Sequence, residues 1–188
     1  MNTSSQHITQ DASQSRDAAV VVQQDMSSAS VRRLLAVLRI GFGLTFLWAF
    51  FDKLLGLGYG TPSDGAWING GSPTEGFLAN AAIGPFEGFY HAIAGDAWAD
   101  WLFMAGLLGI GLGLTLGVGM RIAGFAGALL YLMMWSVVLP PENNPVIDDH
   151  ILGAITVVLL AVANAGDTWG LGGRWSRAEI VNKHPVLR

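Results

Sequence analysis

The chain has 188 residues, of which 52% are apolar by type and only 13% charged, about half the charge usual in soluble domains. That length suits one domain, and a net charge of −4 disfavours a nucleic-acid partner. Cysteine is absent, which excludes disulfides, thiolate metal sites, cysteine-held iron–sulfur clusters and a cysteine nucleophile. A polytopic membrane protein is the class that remains.

Residues 1–30 are rich in Ser, Gln and Asp and lack an apolar period, so they are expected to form a disordered cytoplasmic tail. They do not read as a signal peptide, because no basic start leads into a short apolar run. The membrane domain is expected over 31–173, with helices at about 31–58, 101–120, 122–139 and 150–166. Twenty helical residues rise about 30 Å, the thickness of a hydrocarbon core. The fourth run is the shortest, with Trp169 and Trp175 placed to anchor its end among headgroups. Residues 174–188 read as a cytoplasmic C-terminal tail.

Four spans put Arg16, Arg32, Arg33, Arg39, Arg121, Arg174, Arg177, Lys183 and Arg188 on one side and leave Lys53 toward the other. The positive-inside rule makes both termini cytoplasmic. The outer loop at 59–100 carries Trp67, Phe77, Phe86, Phe89, Tyr90 and Trp98, too apolar for a plain linker. It is expected to form an interfacial or re-entrant lid over the helices. Ala105, Gly109, Gly113 and Gly117 make a small-residue ridge facing Ala123, Gly124, Gly127 and Ala128 across the short Arg121 turn.

Ionisable groups near lipid are costly, so each is a functional candidate with a bland alternative. Arg39 lies near a helix end and is expected to snorkel to cytoplasmic headgroups, with a functional role as the alternative. Asp52 and Lys53 close the first helix, while Asp148, Asp149 and His150 open the fourth. In an antiparallel bundle these groups share one outer level, where ion pairing or a polar pocket is expected. His150 is the natural proton-handling member. Tyr131 and Trp135, four residues apart, read first as packing residues, though a quinone pocket would use such rings. Haem would need two inward helical imidazoles at one depth; His150 has no such mate among His7, His91 and His184. Glu142, Asp148, Asp149 and His150 have metal-ligand chemistry without a specific spacing, so no metal is expected.

The segments RIGFGLTFLWAFFDKLLGLGYG, INGGSPTEGFL, GPF, GLLGIGLGLTLGVGMRIAG and PPENNPVIDDHILGAITVVLLA, taken in order, resemble the DoxX/DoxD family of small bacterial membrane proteins. The likeness covers roughly Arg33 to Arg174, and the SPTEGFL stretch is similar to the DoxD-like branch. The resemblance implies a four-helix bundle in the bacterial inner membrane. It also implies a quinone-linked redox subunit that passes electrons from thiosulfate to quinone with a protein partner. Lys53, His150 and Asp149 are then the catalytic candidates, and Asp52, Lys53, His150 and Trp135 the quinone-binding ones. The other reading is a non-catalytic membrane anchor or accessory subunit of a larger respiratory or redox complex.

Overall fold

The computed structural model describes residues 28–142 and 144–188; the tail expected over 1–30 lies almost wholly outside these. All regular structure among the described residues is helical. Helix α1 spans Ala29–Leu55, opened by Ser28, whose Oγ accepts from the Val31 amide at 3.3 Å. It stops three residues before the expected end because Gly56 turns left-handed, with φ of 64°. Two 3-10 turns (Ser63–Gly65 and Trp67–Asn69) and two short helices follow, α2 at Glu75–Asn80 and α3 at Glu87–Ile93. Helix α4 runs over Ala97–Leu116, α5 over Met120–Val137 and α6 over Asp149–Val162.

Helices α1, α4 and α5 are each long and apolar enough to cross a membrane. Helix α6 is apolar but has 14 residues, about 21 Å of rise. It ends at Val162, four residues before the sequence expectation, because Asn164 sits left-handed at φ 49° and begins a 3-10 turn. Helix α4 begins four residues early and places Asp100 in its first turn, where a carboxylate complements the helix dipole.

Helix α1 packs on α4, α4 on α5, and α5 on α6. Phe46, Met104, Leu107, Ile110, Leu114, Val157 and Leu160 form the shared core. Glycines set the close approaches, but not as the expected ridge does. Gly109 faces open space and Ala105 is exposed. A Cβ at Gly111 would meet the Leu47 side chain at 2.8 Å, and one at Gly124 would meet the Ala161 methyl at 2.7 Å. Gly111 thus admits α1, and Gly124 serves the α5–α6 contact rather than α4. Only Gly113 touches the expected partner, Ala123. Outward side chains such as Leu34, Leu102, Phe125, Leu152 and Ile155 are large, apolar and exposed. Together with the three long helices, they mark a multi-pass membrane protein in contact with lipid.

Helices α2 and α3 gather on the end of α5, where Leu78, Ala82, Tyr90 and Val137 form a second small core. The stretch at 174–188 is docked rather than free. Within it lie α8 at Glu179–Lys183 and a 3-10 turn at Pro185–Leu187, preceded by α7 at Gly172–Trp175. The Arg121 amide donates to the Arg188 carbonyl at 2.8 Å, and Trp175 Nε1 donates to the Leu187 carbonyl at 2.6 Å.

Candidate functional site: an apolar cavity beside Lys53

Arg39 is fully buried and does not reach headgroups, which corrects the snorkelling expectation. Its Nη1 donates to the carbonyls of Leu114 and, at 2.9 Å, Thr115, the last turn of α4. Nη2 donates to Thr168 and Trp169 carbonyls at 3.3 and 3.1 Å. A helix C-terminus offers unpaired carbonyls and negative dipole potential, and a planar guanidinium satisfies several at once. Arg39 is therefore a fastener joining α1, α4 and the segment after α6.

Asp52 is likewise consumed by backbone. It is buried and accepts from the Tyr59 and Gly60 amides at 3.2 and 2.9 Å, closing the glycine-rich turn after α1. Lys53 turns the other way, with its ammonium 5.9 Å from the Phe103 ring centre. No carboxylate among the described residues lies within ion-pairing distance of it.

Lys53 borders a cavity of about 210 Å³ between α4, α5 and the α2–α3 region. Its walls are Phe77, Leu78, Tyr90, Ile93, Leu102, Phe103, Leu130, Met134 and Val137, and Lys53 is its one charged lining residue. Trp98, Leu102 and Met133 are the exposed lining residues and form its mouth. Two polar ties hold the outer wall. The Tyr90 hydroxyl meets Ser136 Oγ at 2.5 Å, pinning α3 to α5. Buried Asp100 accepts from Ser72 Oγ, the Thr74 amide and Thr74 Oγ1 at 2.9, 3.0 and 2.6 Å, pinning the strap before α2 to α4.

His150 lies elsewhere. Its Nδ1 is 2.7 Å from Asp148 Oδ2, and its ring packs edge-on to Tyr131, which also meets Phe46. Asp149, the sequence candidate, is 92% exposed with its carboxylate 3.6 Å away, so Asp148 is the closer partner. Asp148 is also the N-cap of α6, accepting from the Ile151 amide at 3.1 Å. Trp135 donates from Nε1 to the Val146 carbonyl at 3.0 Å and so holds the α5–α6 loop. Leu130, Met134 and Val137 line the Lys53 cavity, whereas Tyr131 and Trp135 point about 100° further round α5. Of Asp52, Lys53, His150 and Trp135, only Lys53 lines the cavity. The four share an end of the bundle without forming one pocket.

No family model, curated protein or solved structure matches this chain. Its own geometry carries the functional reading. Asp148, Asp149 and His150 present ligand atoms within 4.8 Å of one another, yet His150 Nδ1 is already engaged by Asp148.

Sequence reasoning passed over Asp100, Tyr90 and the role of Asp148. Asp148 had a local signal, an aspartate just before an apolar run at an N-cap position. Asp100 and Tyr90 had none, since their partners lie 26 to 28 and 46 residues away.

The Asp148 carboxyl has a testable pH signature. Burial pushes it up, but bonds from the His150 ring and the Ile151 amide outweigh this, and it ends below its ordinary value. A lowered folded-state value stabilises above the unfolded value of about 3.9, and that contribution fades as pH falls through the folded one. Exchange protection at the start of α6, taken relative to the intrinsic rate at each pH, should therefore fall on acidification below that range. Asp148→Asn should already exchange faster at neutral pH and change less with acid; parallel profiles would refute the assignment.

Proposed function

We propose that the chain is a DoxX/DoxD-like integral membrane subunit of a quinone-linked redox system, with the Lys53 cavity as its quinone-headgroup site. The observation that carries this reading is an apolar cavity at the side of the bundle whose one charged lining residue is a lysine with no carboxylate partner among the described residues. At about 210 Å³ it is smaller than the ~300–1,000 Å³ of typical ligand pockets. A single ring would fill it, with an apolar tail leaving past Leu102 and Met133 into lipid. Lys53 supplies the donor for a ring oxygen, and Phe77 and Phe103 supply flat apolar walls. His150, backed by Asp148 and flanked by Asp149, is the proton-exchanging group of the same end. Asp52 shapes the turn beside Lys53, and Trp135 holds the loop before His150.

In this proposal α6 also crosses the bilayer, giving four spans, and the 59–96 region lies at the outer interface. The termini face the cytoplasm of a bacterial inner membrane. The support is the charge pattern: among the described residues every Lys and Arg except Lys53 belongs to the end where α1 begins and α4 finishes. With thiosulfate as donor, two dianions join through sulfur to tetrathionate and release two electrons, which with two protons convert quinone to quinol. In this proposal, as the resemblance implies, a partner subunit carries the sulfur chemistry.

The test is equilibrium binding of a radiolabelled benzoquinone with a short alkyl chain to the full chain in detergent. Lys53→Met should weaken binding roughly tenfold through loss of a charge-assisted hydrogen bond. Met133→Trp should block the mouth. Equal affinity in the wild type and both variants would remove the quinone reading.

One observation favours a non-catalytic anchor instead: Arg39, Asp52 and Asp100 are all spent on holding the chain together. Purification in mild detergent separates the two. A stoichiometric partner whose retention ignores Lys53→Met, with no quinone response, would select the anchor.

A further inference from the structure

A second cavity opens at the opposite end, between α5 and α6, with a volume of about 430 Å³. Its floor lies where Gly124 and Ala161 bring the helices together, and Phe125, Val158 and Val162 are its walls. Phe125 and Val162 are 73% and 75% exposed, so the groove faces outward from the bundle along its length. Arg121 and Asn164 stand at its mouth.

Arg121 is held there by its surroundings. Its amide donates to the Arg188 carbonyl at 2.8 Å and its Nη1 to the Pro185 carbonyl at 2.9 Å. A guanidinium has five donors, so most remain for a ligand. The amino end of α5 and the carboxyl end of α6 meet at this level, and their opposing dipoles leave Arg121 to set the sign of the field. Asp167 and Glu179, the acids of this end among the described residues, are already paired, with Arg188 at 3.3 Å and with Lys183 at 2.6 Å.

We infer that this groove holds an anionic phospholipid, with an acyl chain along Phe125, Val158 and Val162 and the phosphate against Arg121. Charge complementarity selects that occupant: an outward apolar groove ends at a fixed guanidinium, at the end of the bundle where the chain's cations gather. A zwitterionic lipid would fill the same groove but bring an ammonium toward Arg121. The site involves neither Lys53 nor its cavity, so it stands or falls apart from the quinone reading.

The test uses the full chain in mild detergent, offered phosphatidylglycerol or phosphatidylcholine of matched acyl chains, with bound lipid counted by native mass spectrometry. Wild type should retain phosphatidylglycerol about fivefold better, the effect of one basic side chain near an anionic headgroup. Arg121→Gln should abolish the preference and Arg121→Lys should keep it. Val158→Trp leaves Arg121 and its two carbonyl contacts in place but fills the groove, and should lower retention of both lipids. Equal retention of the two lipids by wild type would overturn the proposal, as would a preference surviving in both Arg121→Gln and Val158→Trp. Displacement of bound lipid by millimolar inorganic phosphate would overturn the acyl-chain assignment, leaving a headgroup-only anion site.

Discussion

Arg39→Met should sharply reduce the yield of folded protein and lower its melting temperature by roughly 6–12 °C. The guanidinium serves four carbonyls, and methionine fills similar volume while serving none. The Leu114 carbonyl also accepts from the Gly117 amide at 3.3 Å, so three carbonyls lose their principal donor. Each buried acceptor left unpaired costs about 1–3 kcal/mol. Relief of guanidinium desolvation offsets part of this, which leaves a net loss of about 3 kcal/mol. Arg39→Lys should fall between, because one ammonium cannot span both pairs of carbonyls. Thermal unfolding of the detergent-solubilised chain, followed by size-exclusion recovery, measures this. A methionine variant that melts with wild type would mean that Arg39 acts at headgroups after all.

Asp100→Ala should leave the bundle standing and open the cavity wall. One carboxylate oxygen accepts from Ser72 and twice from Thr74, and Ser72 Oγ in turn accepts from the Glu75 amide at 3.1 Å. Losing these ties costs about 2 kcal/mol locally, roughly a 30-fold rise in the open population of the strap. Hydrogen exchange of the Thr74 amide should accelerate by that factor, and protease should cut within 59–96 while α1, α4 and α5 stay protected. Asp100→Asn keeps an acceptor in place and should recover part of the loss. Thr74 exchange at the wild-type rate in Asp100→Ala would show that the strap is held by packing alone. Because Pro73 and Thr74 line the Lys53 cavity, quinone binding should weaken alongside.

The spans were legible because length and hydropathy are local properties: α1, α4 and α5 needed only a continuous apolar run and a stop. The stops of α1, α4 and α6 were less legible, since Gly56, Gly117 and Asn164 end helices inside apolar stretches through left-handed backbone rather than through a change in composition. That Lys53 lines the cavity and His150 does not depends on how the helices are rotated, which no short motif encodes. Arg39 was misread for a related reason. A lone arginine near a helix end looks the same whether it meets phosphate or carbonyls, and the carbonyls that decide lie 75 to 130 residues away. Asp52 and Lys53 are neighbours in sequence and point to different tasks, one to amides and one to a cavity.

The Arg39 contacts also impose a schedule on synthesis. Two of its acceptors, Thr168 and Trp169, leave the ribosome 129 and 130 residues after it. At about 5–20 residues per second that interval is roughly 6–26 s. Throughout it, the first helix has to sit in the bilayer with a guanidinium that has no finished binding place. Headgroup phosphates and water near the helix end are the available hosts, so the snorkelled position becomes a waiting state. The burial place of Arg39 is complete only once residues 168 and 169 have been made and docked.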